Sequence, residues 1–485
     1  MKKGVLASVA IFFSFFLHAQ SFSDAGTVWL KGNVKHFKGT YFEYAQTGFF
    51  ENSSSSVLVD EKGDFLHRFE IEGTQQDMFL YLNDDPITIT VADGDTLAIS
   101  WDEGDFRNTF SIHSNSQFRD KLLCIQLYQY FNFRKPLSAL EHSIYEKTDL
   151  TGEEKFRMIT DLFNQQWNAL AIQANEDYDV FISAYVNLYY QYAYKLHSYG
   201  LWRRFSPQPR LDMNLVKNPE FGKVINWLEH TRLDINFFWK SVQYREFLFD
   251  YTRFAGRDIF NSFKGEMIEL NAARHNYYMA NAVLAIPEIR DWFITKSILL
   301  SFDRDDFIET EKVYNRFTEE LTDPVLKKVL TEGYDSYVTL KPGNPAPDFT
   351  LKDAQGKEVS LSAFKGKVVY IDFWGVTCGP CISDITHYAQ KLHEKYRGKE
   401  VVFVSVCIDA DEKEWKAALK KYKMDDQINL LAEGGDEDPA VKKYNVTSIP
   451  HYFLIGKDGK IISNTAPGMH ELLTKEGNEI DKALQ

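Results

Sequence analysis

The sequence predicts a multidomain chain: an N-terminal all-β, sandwich-like domain, an all-α middle domain and a C-terminal α/β domain. Three observations carry this. Short apolar strands separated by turn residues fill residues 24–113. The apolar period then turns helical over 114–337. A proline cluster ends that pattern, and buried strands alternate with helices over 342–485. A chain of 485 residues has room for about three domains of roughly 100–200 residues each.

The first residues read as a leader over 1–19. Lys2 and Lys3 form a positive start, an uncharged apolar stretch runs from Gly4 to Leu17, and Leu17-His18-Ala19-Gln20 offers a cleavage site after Ala19. The apolar stretch is short of the roughly 20 residues that span a bilayer. No Cys follows it to take a lipid. The expectation is an exported, periplasmic protein whose mature chain starts near Gln20.

The β region rests on Val28-Trp29-Leu30, Tyr41-Phe42-Glu43-Tyr44, Phe79-Leu80-Tyr81, Ile87-Thr88-Ile89-Thr90-Val91 and Thr96-Leu97-Ala98-Ile99. Lys62-Gly63-Asp64 and Asp93-Gly94-Asp95 mark turns between strands. In the middle region Phe156, Ile159, Phe163, Trp167 and Leu170 fall on one helix face, and Thr151 with Glu154 makes a capping box ahead of them. Further aromatic-rich helices are expected over Phe181 to Leu196, Phe247 to Phe254 and Trp292 to Leu300, their rings packing a core. Pro342, Pro345 and Pro347 disfavour helix on both sides. Val368 to Phe373 and Val401 to Val406 then read as buried strands, and Ile382 to Tyr396 and Glu412 to Tyr422 as helices, which together mean an α/β layer architecture.

Composition narrows the function. Formal net charge is −14, which repels phosphate backbones and excludes nucleic acid as a partner. Cysteines number four: Cys124, Cys378, Cys381 and Cys407. An exported chain of this length held together by disulfides would carry more. Two lie close together and two are isolated, which favours redox chemistry over stapling. Cys124 and Cys407 are expected to be buried small hydrophobes.

Cys378-Gly379-Pro380-Cys381 follows a buried strand and opens a helix. There the unpaired N–H groups and the dipole favour an anion, which lowers the pKa of the first cysteine. Pro380 suits the first turn, where its missing N–H costs nothing. Cys378 is therefore the attacking thiolate, and Cys381 the group that resolves the mixed disulfide. A structural zinc site needs four ligands, and there is no second cysteine pair. A static disulfide across so short a loop adds little stability. The strand–motif–helix context favours exchange over both. No cofactor or metal is expected.

The segment Asp372 to Cys381 resembles the thioredoxin active-site segment, and Ser448-Ile449-Pro450 with Phe453-Leu454-Ile455 resembles its cis-proline loop and following strand. The lead-in Pro342 to Phe349, then Leu361 and Phe364-Lys365-Gly366-Lys367, is similar to exported TlpA/ResA-like proteins. The likeness covers about residues 342–470. Ser241-Val242-Gln243-Tyr244-Arg245 and Pro324-Val325-Leu326-Lys327-Lys328 are similar to the long Bacteroidetes-type members, with a β-rich N-terminal domain and a helical middle. The resemblance implies a thioredoxin fold for 342–485 and a redox-active disulfide between Cys378 and Cys381. It implies that Asp372 is the buried acid that deprotonates the resolving cysteine. A carboxyl in an apolar strand should have a raised pKa, which suits a base; the plainer reading is a polar strand residue bonded to backbone. It implies that Pro450, with Ile449, docks substrate backbone and that Trp374 packs by the motif, as core or as substrate contact. It further implies partners: disulfide-containing exported proteins and a membrane electron donor. The sequence departs from the family in two places. Thr377 stands where Trp is usual, and His451 where Thr is usual. His451 is expected to be exposed, with tuning of the thiolate or pH sensing as the alternative.

These readings together give an exported thiol–disulfide oxidoreductase. Two rivals remain at this point. A peroxiredoxin-like peroxidase would carry Thr three residues before its reactive Cys, where this chain has Gly375. The other rival is a binding module with a vestigial redox pair.

Overall fold

A computed structural model of the chain describes residues 21–198 apart from 23, 51, 83–85, 148 and 175–177, then 233–262, and 271–485 apart from 425–426. The leader expected at 1–19 lies outside them. Contacts divide the chain into two units, Met1–Ala255 and Gly256–Gln485. The helices of the middle region are shared between the two.

The first unit opens with strands β1 (Ala25–Lys35), β2 (Tyr41–Thr47), β3 (Asn52–Leu58), β4 (Asp64–Glu72), β5 (Gln75–Tyr81), β6 (Ile87–Ala92), β7 (Thr96–Asp102) and β8 (Ser111–Ser114). They form two four-stranded sheets, ordered β4-β1-β7-β8 and β3-β2-β5-β6. All pairings are antiparallel except β1 with β7. Alternation sends every second side chain inward. Val28, Leu30, Phe69, Met78, Leu80, Ile89 and Leu97 thus meet in one core between the sheets. The turn into β4 needs glycine: Gly63 has φ 83°, and a Cβ there would lie 2.0 Å from Val34 O. Strand β3, Asn52–Leu58, is serine-rich and exposed at a sheet edge, so it carries no apolar alternation to announce it.

Helices α1 (Gln117–Glu146), α2 (Gly152–Ala174), α3 (Tyr178–Ser198), α4 (Ile235–Lys240) and α5 (Val242–Ser262) follow. The capping box forms as expected. Thr151 N donates to Glu154 Oε2 at 2.8 Å, and Glu154 N donates to Thr151 Oγ1 at 3.2 Å. Phe163 and Trp167 are fully buried. Cys124 departs from expectation: it is exposed, because it lies off the side of α1 that carries the buried Leu122, Leu123 and Ile125.

Beyond the end of α5, the second unit contains α6 (Ala272–Val283), α7 (Pro287–Arg304), α8 (Phe307–Glu320) and α9 (Pro324–Val338). The prolines then end the helical run, and the chain enters a seven-stranded sheet. Its strands are β9 (Thr350–Asp353), β10 (Glu358–Ser360), β11 (Val368–Trp374), β12 (Val401–Cys407), β13 (Ile428–Leu431), β14 (His451–Ile455) and β15 (Ile461–Ser463), in the order β10-β9-β13-β12-β11-β14-β15. The central three, β11 to β13, are parallel, and β14 joins β11 antiparallel. Every residue of β11 is buried, as a strand covered on both faces must be. On one face Val369, Ile371 and Phe373 pack with Tyr444 and Phe453. On the other, Val368 and Tyr370 pack with Leu392 and Tyr396, and Trp374 packs with Cys381 and Ile385. This is a thioredoxin fold.

The C-terminal end of α7 is bonded to the segment that follows β15. Asn464 Nδ2 donates to Phe302 O at 3.2 Å, and Thr465 Oγ1 donates to Asp305 O at 3.1 Å. The proline stretch at 342–347 is pinned as well: Gly343 N donates to Ile461 O at 2.8 Å, and Ala346 N donates to Gly459 O at 3.0 Å.

Candidate active site

The central strand β11 ends at Trp374, and after four residues the chain enters helix α10 (Gly379–Asp384). Cys378 is the N-cap of that helix, its sulfur accepting from Cys381 N at 3.2 Å. Pro380 stands in the first turn. The helix continues through a π turn at Ile385–Ala389 into α11 (Gln390–Lys395), a bulge of the kind often found next to functional sites. Cys378 and Cys381 are joined as a disulfide, with Cα atoms 5.3 Å apart. Cys381 is 1% exposed, whereas Cys378 is only half-buried. A partner can therefore reach the first sulfur and not the second.

The floor is apolar. Trp374, Ile385, Cys407 and Trp415 surround Cys381, and Ile449 packs at its edge with Cys378. Trp374 is fully buried, so it supports the pair from below and offers no surface to a substrate. Burial pushes the Cys407 thiol up to about 12. It stays protonated at neutral pH and does not compete as a nucleophile.

The segment between strand and helix is held from outside. Asp409, two residues past β12, accepts from Val376 N at 2.6 Å, from Thr377 N at 3.0 Å and from Thr377 Oγ1 at 2.6 Å. The residue that replaces the usual Trp is thus a hydrogen-bonding part of this clamp.

Asp372 alternates with Tyr370 and Trp374 along β11, so it faces the helix that carries Cys381. It is 3% exposed, and its Oδ1 has no hydrogen-bond partner. Burial first, and then the charge of Asp384, pushes its carboxyl up to about 8. Asp384 stands one helical turn beyond Cys381 and accepts from Tyr452 Oη at 2.8 Å. Tyr452 in turn stacks on Tyr370, ring centroids 5.4 Å apart.

The Ile449–Pro450 bond is cis. Ile449 reaches the loop that leads into Cys378: a Cβ on Gly375 would lie 2.7 Å from Ile449 Cδ1 and 2.4 Å from Asp409 Oδ2. His451 is buried, contrary to the exposed position expected. Its Nε2 donates to Asn464 O at 2.8 Å, and its Nδ1 stands 3.9 Å from Asp303 Oδ1. Among the described residues no cluster of His, Cys, Asp and Glu could hold a metal ion.

The Redoxin family model matches residues 341–484. Thiol-disulfide oxidoreductase ResA of Bacillus thuringiensis is 35% identical over 133 residues, which is 27% of this chain and 74% of that protein. The chain belongs to the ResA-type thiol-disulfide oxidoreductases. ResA of Bacillus subtilis is 32% identical over 134 residues, 27% of this chain and 72% of that protein. The thioredoxin domain of a thiol-disulfide oxidoreductase from Bacteroides vulgatus is 27% identical over 30% of this chain and 99% of that one, with a TM-score of 0.27.

Within this ResA-type domain the structure gathers Cys378, Cys381, Trp374 and Ile449 in one cluster, and it puts Asp372 on the face below. Sequence reasoning missed Asp409, Asp384 and Asp303. Asp384 had a signal in its place three residues after Cys381. Asp409 lies 32 residues from Thr377 and Asp303 in another secondary-structure layer, so neither had one.

Proposed function

We propose that this chain is exported and reduces or isomerises disulfides of periplasmic proteins through the Cys378–Cys381 pair. The observation that carries the reading is the asymmetry of the pair: one sulfur is half-buried at a helix N-cap, the other sealed beneath it.

In the reduced enzyme the Cys378 thiolate attacks one sulfur of the target disulfide and forms a mixed disulfide. The other target sulfur leaves as a thiolate and takes a proton. Asp372 accepts the proton of Cys381, whose thiolate then attacks Cys378 Sγ. The second target sulfur leaves, two electrons have passed to the target, and the enzyme holds the Cys378–Cys381 disulfide. The cis Ile449–Pro450 segment receives the target backbone. A membrane electron donor returns the pair to the dithiol.

The Gly379-Pro380 dipeptide supports the reducing direction, since it resembles that of reducing thioredoxins. Their couple lies at roughly −270 mV against about −120 mV for the oxidant DsbA. No Lys or Arg lies between Val368 and Gln390 in the sequence, so the segment around Cys378 brings no local cation of the kind that lowers a thiol pKa further. The test is insulin-disulfide reduction by the mature chain, with equilibration against glutathione. The expected result is turnover that Cys378→Ser abolishes and a couple nearer the reducing value. A couple close to the oxidant value sinks the reductase direction, and peroxide consumption without insulin reduction sinks the reading as a whole.

A further inference from the structure

The first unit contains a cavity of about 330 Å³ between the outer face of the β3-β2-β5-β6 sheet and helices α1, α2 and α3. The alternation that fills the sandwich core also builds its floor. Met78, Leu80, Ile87, Ile89 and Val91 point into the core, so Asp77, Phe79, Thr88 and Thr90 point the other way. Such a face is ordinarily solvated. Here α1 roofs it, and Asp77 and Thr90 are buried.

The floor is internally matched. Thr90 Oγ1 donates to Asp77 Oδ1 at 2.7 Å, Gln126 Nε2 donates to Thr90 Oγ1 at 2.8 Å, and Gln243 hydrogen-bonds the Asp77 carboxyl. The remaining amides are not matched. Gln129 Oε1, Gln166 Nε2 and Gln243 Oε1 are buried without a hydrogen-bond partner, and all three residues line this one cavity. Gln166 is 4% exposed. Buried polar atoms are nearly always paired, and here two acceptors and one donor converge unpaired on the same space.

The chemistry of a complementary ligand follows. It must donate to two carbonyl oxygens and accept from an amide nitrogen, and hydroxyl groups do both. The charged lining residues, Asp77 and Arg134, are opposite in sign, so the lining does not select an ion; Arg119 and Arg245 act on Asp77 from outside the lining. Phe79, Tyr130 and Phe133 add flat apolar surface, which suits the C–H face of a saturated ring. The volume stands at the low end of ligand pockets, roughly 300–1,000 Å³. The segment Ser241–Arg245 also gains a role: Gln243 lines the cavity, and the buried Arg245, which donates to Phe238 O at 2.8 Å, anchors the wall behind it.

We propose that this cavity is a binding site for a neutral, hydroxyl-rich small molecule, a mono- or disaccharide, held by Gln129, Gln166 and Gln243. The site is separate from the redox pair and adds a ligand-binding function to the first unit.

The experiment is saturation-transfer NMR on the full mature chain with glucose, galactose, N-acetylglucosamine, maltose and trehalose, repeated on Gln166→Leu and Gln243→Leu. The expected result is transfer to at least one sugar, weakened at least tenfold in both variants while the Tm of Gln166→Leu stays at or above that of the wild type. Soaking wild-type crystals with that sugar should put it in the cavity, which keeps the test independent of variant folding. No transfer to any sugar, transfer unchanged in both variants, or density for the sugar elsewhere overturns the proposal. Binding of a neutral dipeptide amide with no sugar binding overturns it in favour of a peptide site.

Discussion

Thr377 Oγ1 donates to Asp409 Oδ2 at 2.6 Å, one residue before Cys378. Two backbone N–H groups, of Val376 and Thr377, donate to the same carboxylate. An aromatic residue at 377 would stack and cover; threonine instead ties the entrance of α10 to the end of β12. Asp409→Ala removes all three bonds at once. It is expected to cost about 1–3 kcal/mol and to slow insulin reduction several-fold through a misplaced Cys378. Gly375→Ala should do comparable damage, since its methyl would enter the space of Asp409 Oδ2 and Ile449 Cδ1. Urea midpoints and initial rates measure both. Wild-type values for the two variants would make Asp409 a bystander.

Cys378 and Cys381 differ in access, and alkylation should show it. With the pair reduced, iodoacetamide at mildly acidic pH is expected to label Cys378 at least ten times faster than Cys381, because only Cys378 combines exposure with the helix N-cap position. Mass spectrometry of tryptic peptides gives the two rates. Equal rates would remove the assignment of attacker and resolver.

Much of this domain was legible in advance, and the reason is local. Val368 to Phe373 is apolar without a break because β11 is covered on both faces, and the proline after Cys378 marks a first helical turn. The sandwich was legible wherever inward residues alternate, as in Ile87-Thr88-Ile89-Thr90-Val91. It was not legible at β3, where Asn52-Ser53-Ser54-Ser55-Ser56 pairs at an edge through backbone alone. His451 was misjudged for a different reason. Its burial depends on Asp303 and Asn464, 148 residues before it in one case and 13 after it in the other, and no window of local sequence contains both.

Asp372 carries a pH signature. Its ordinary value in the unfolded chain is 3.8 and its folded value is about 8, so the folded state holds the proton more tightly. The stability this contributes is complete below pH 3.8 and is lost as pH rises through about 8. Asp372→Asn, which stays neutral, is expected to gain on the wild type by roughly 5 kcal/mol at pH 9 and by less than about 1 kcal/mol at pH 4. Catalysis should move the other way. With the carboxylate acting as the proposed base for Cys381, release of a mixed disulfide by the wild type should accelerate as pH rises from 6 to 9, and the variant should be at least ten times slower at the top of that range. Stopped-flow release of a fluorescent thiol measures it. A variant that kept the wild-type rate and the wild-type inflection would return Asp372 to a packing role.

His451 should make the second unit sensitive to acid. Its Nε2 proton is committed to Asn464 O, so any second proton must sit on Nδ1, facing Asp303 Oδ1 at 3.9 Å. Asp303 and Arg304 are the charged groups that bear on it, and they oppose each other; burial outweighs both and holds the imidazole below its ordinary 6.5. The unfolded chain therefore binds the proton first, and stability falls as pH drops below 6.5. His451→Thr, which restores the residue usual in the family, is expected to remove about 1 kcal/mol of the loss between pH 7 and pH 5. Asp303→Asn removes the attraction that favours the second proton, so it should steepen the loss rather than relieve it. Thermal melts across that range distinguish the two. If His451→Thr lost stability on acidification as fast as the wild type, the titrating group would lie elsewhere, and the contact between α7 and the cis-proline loop would be indifferent to pH.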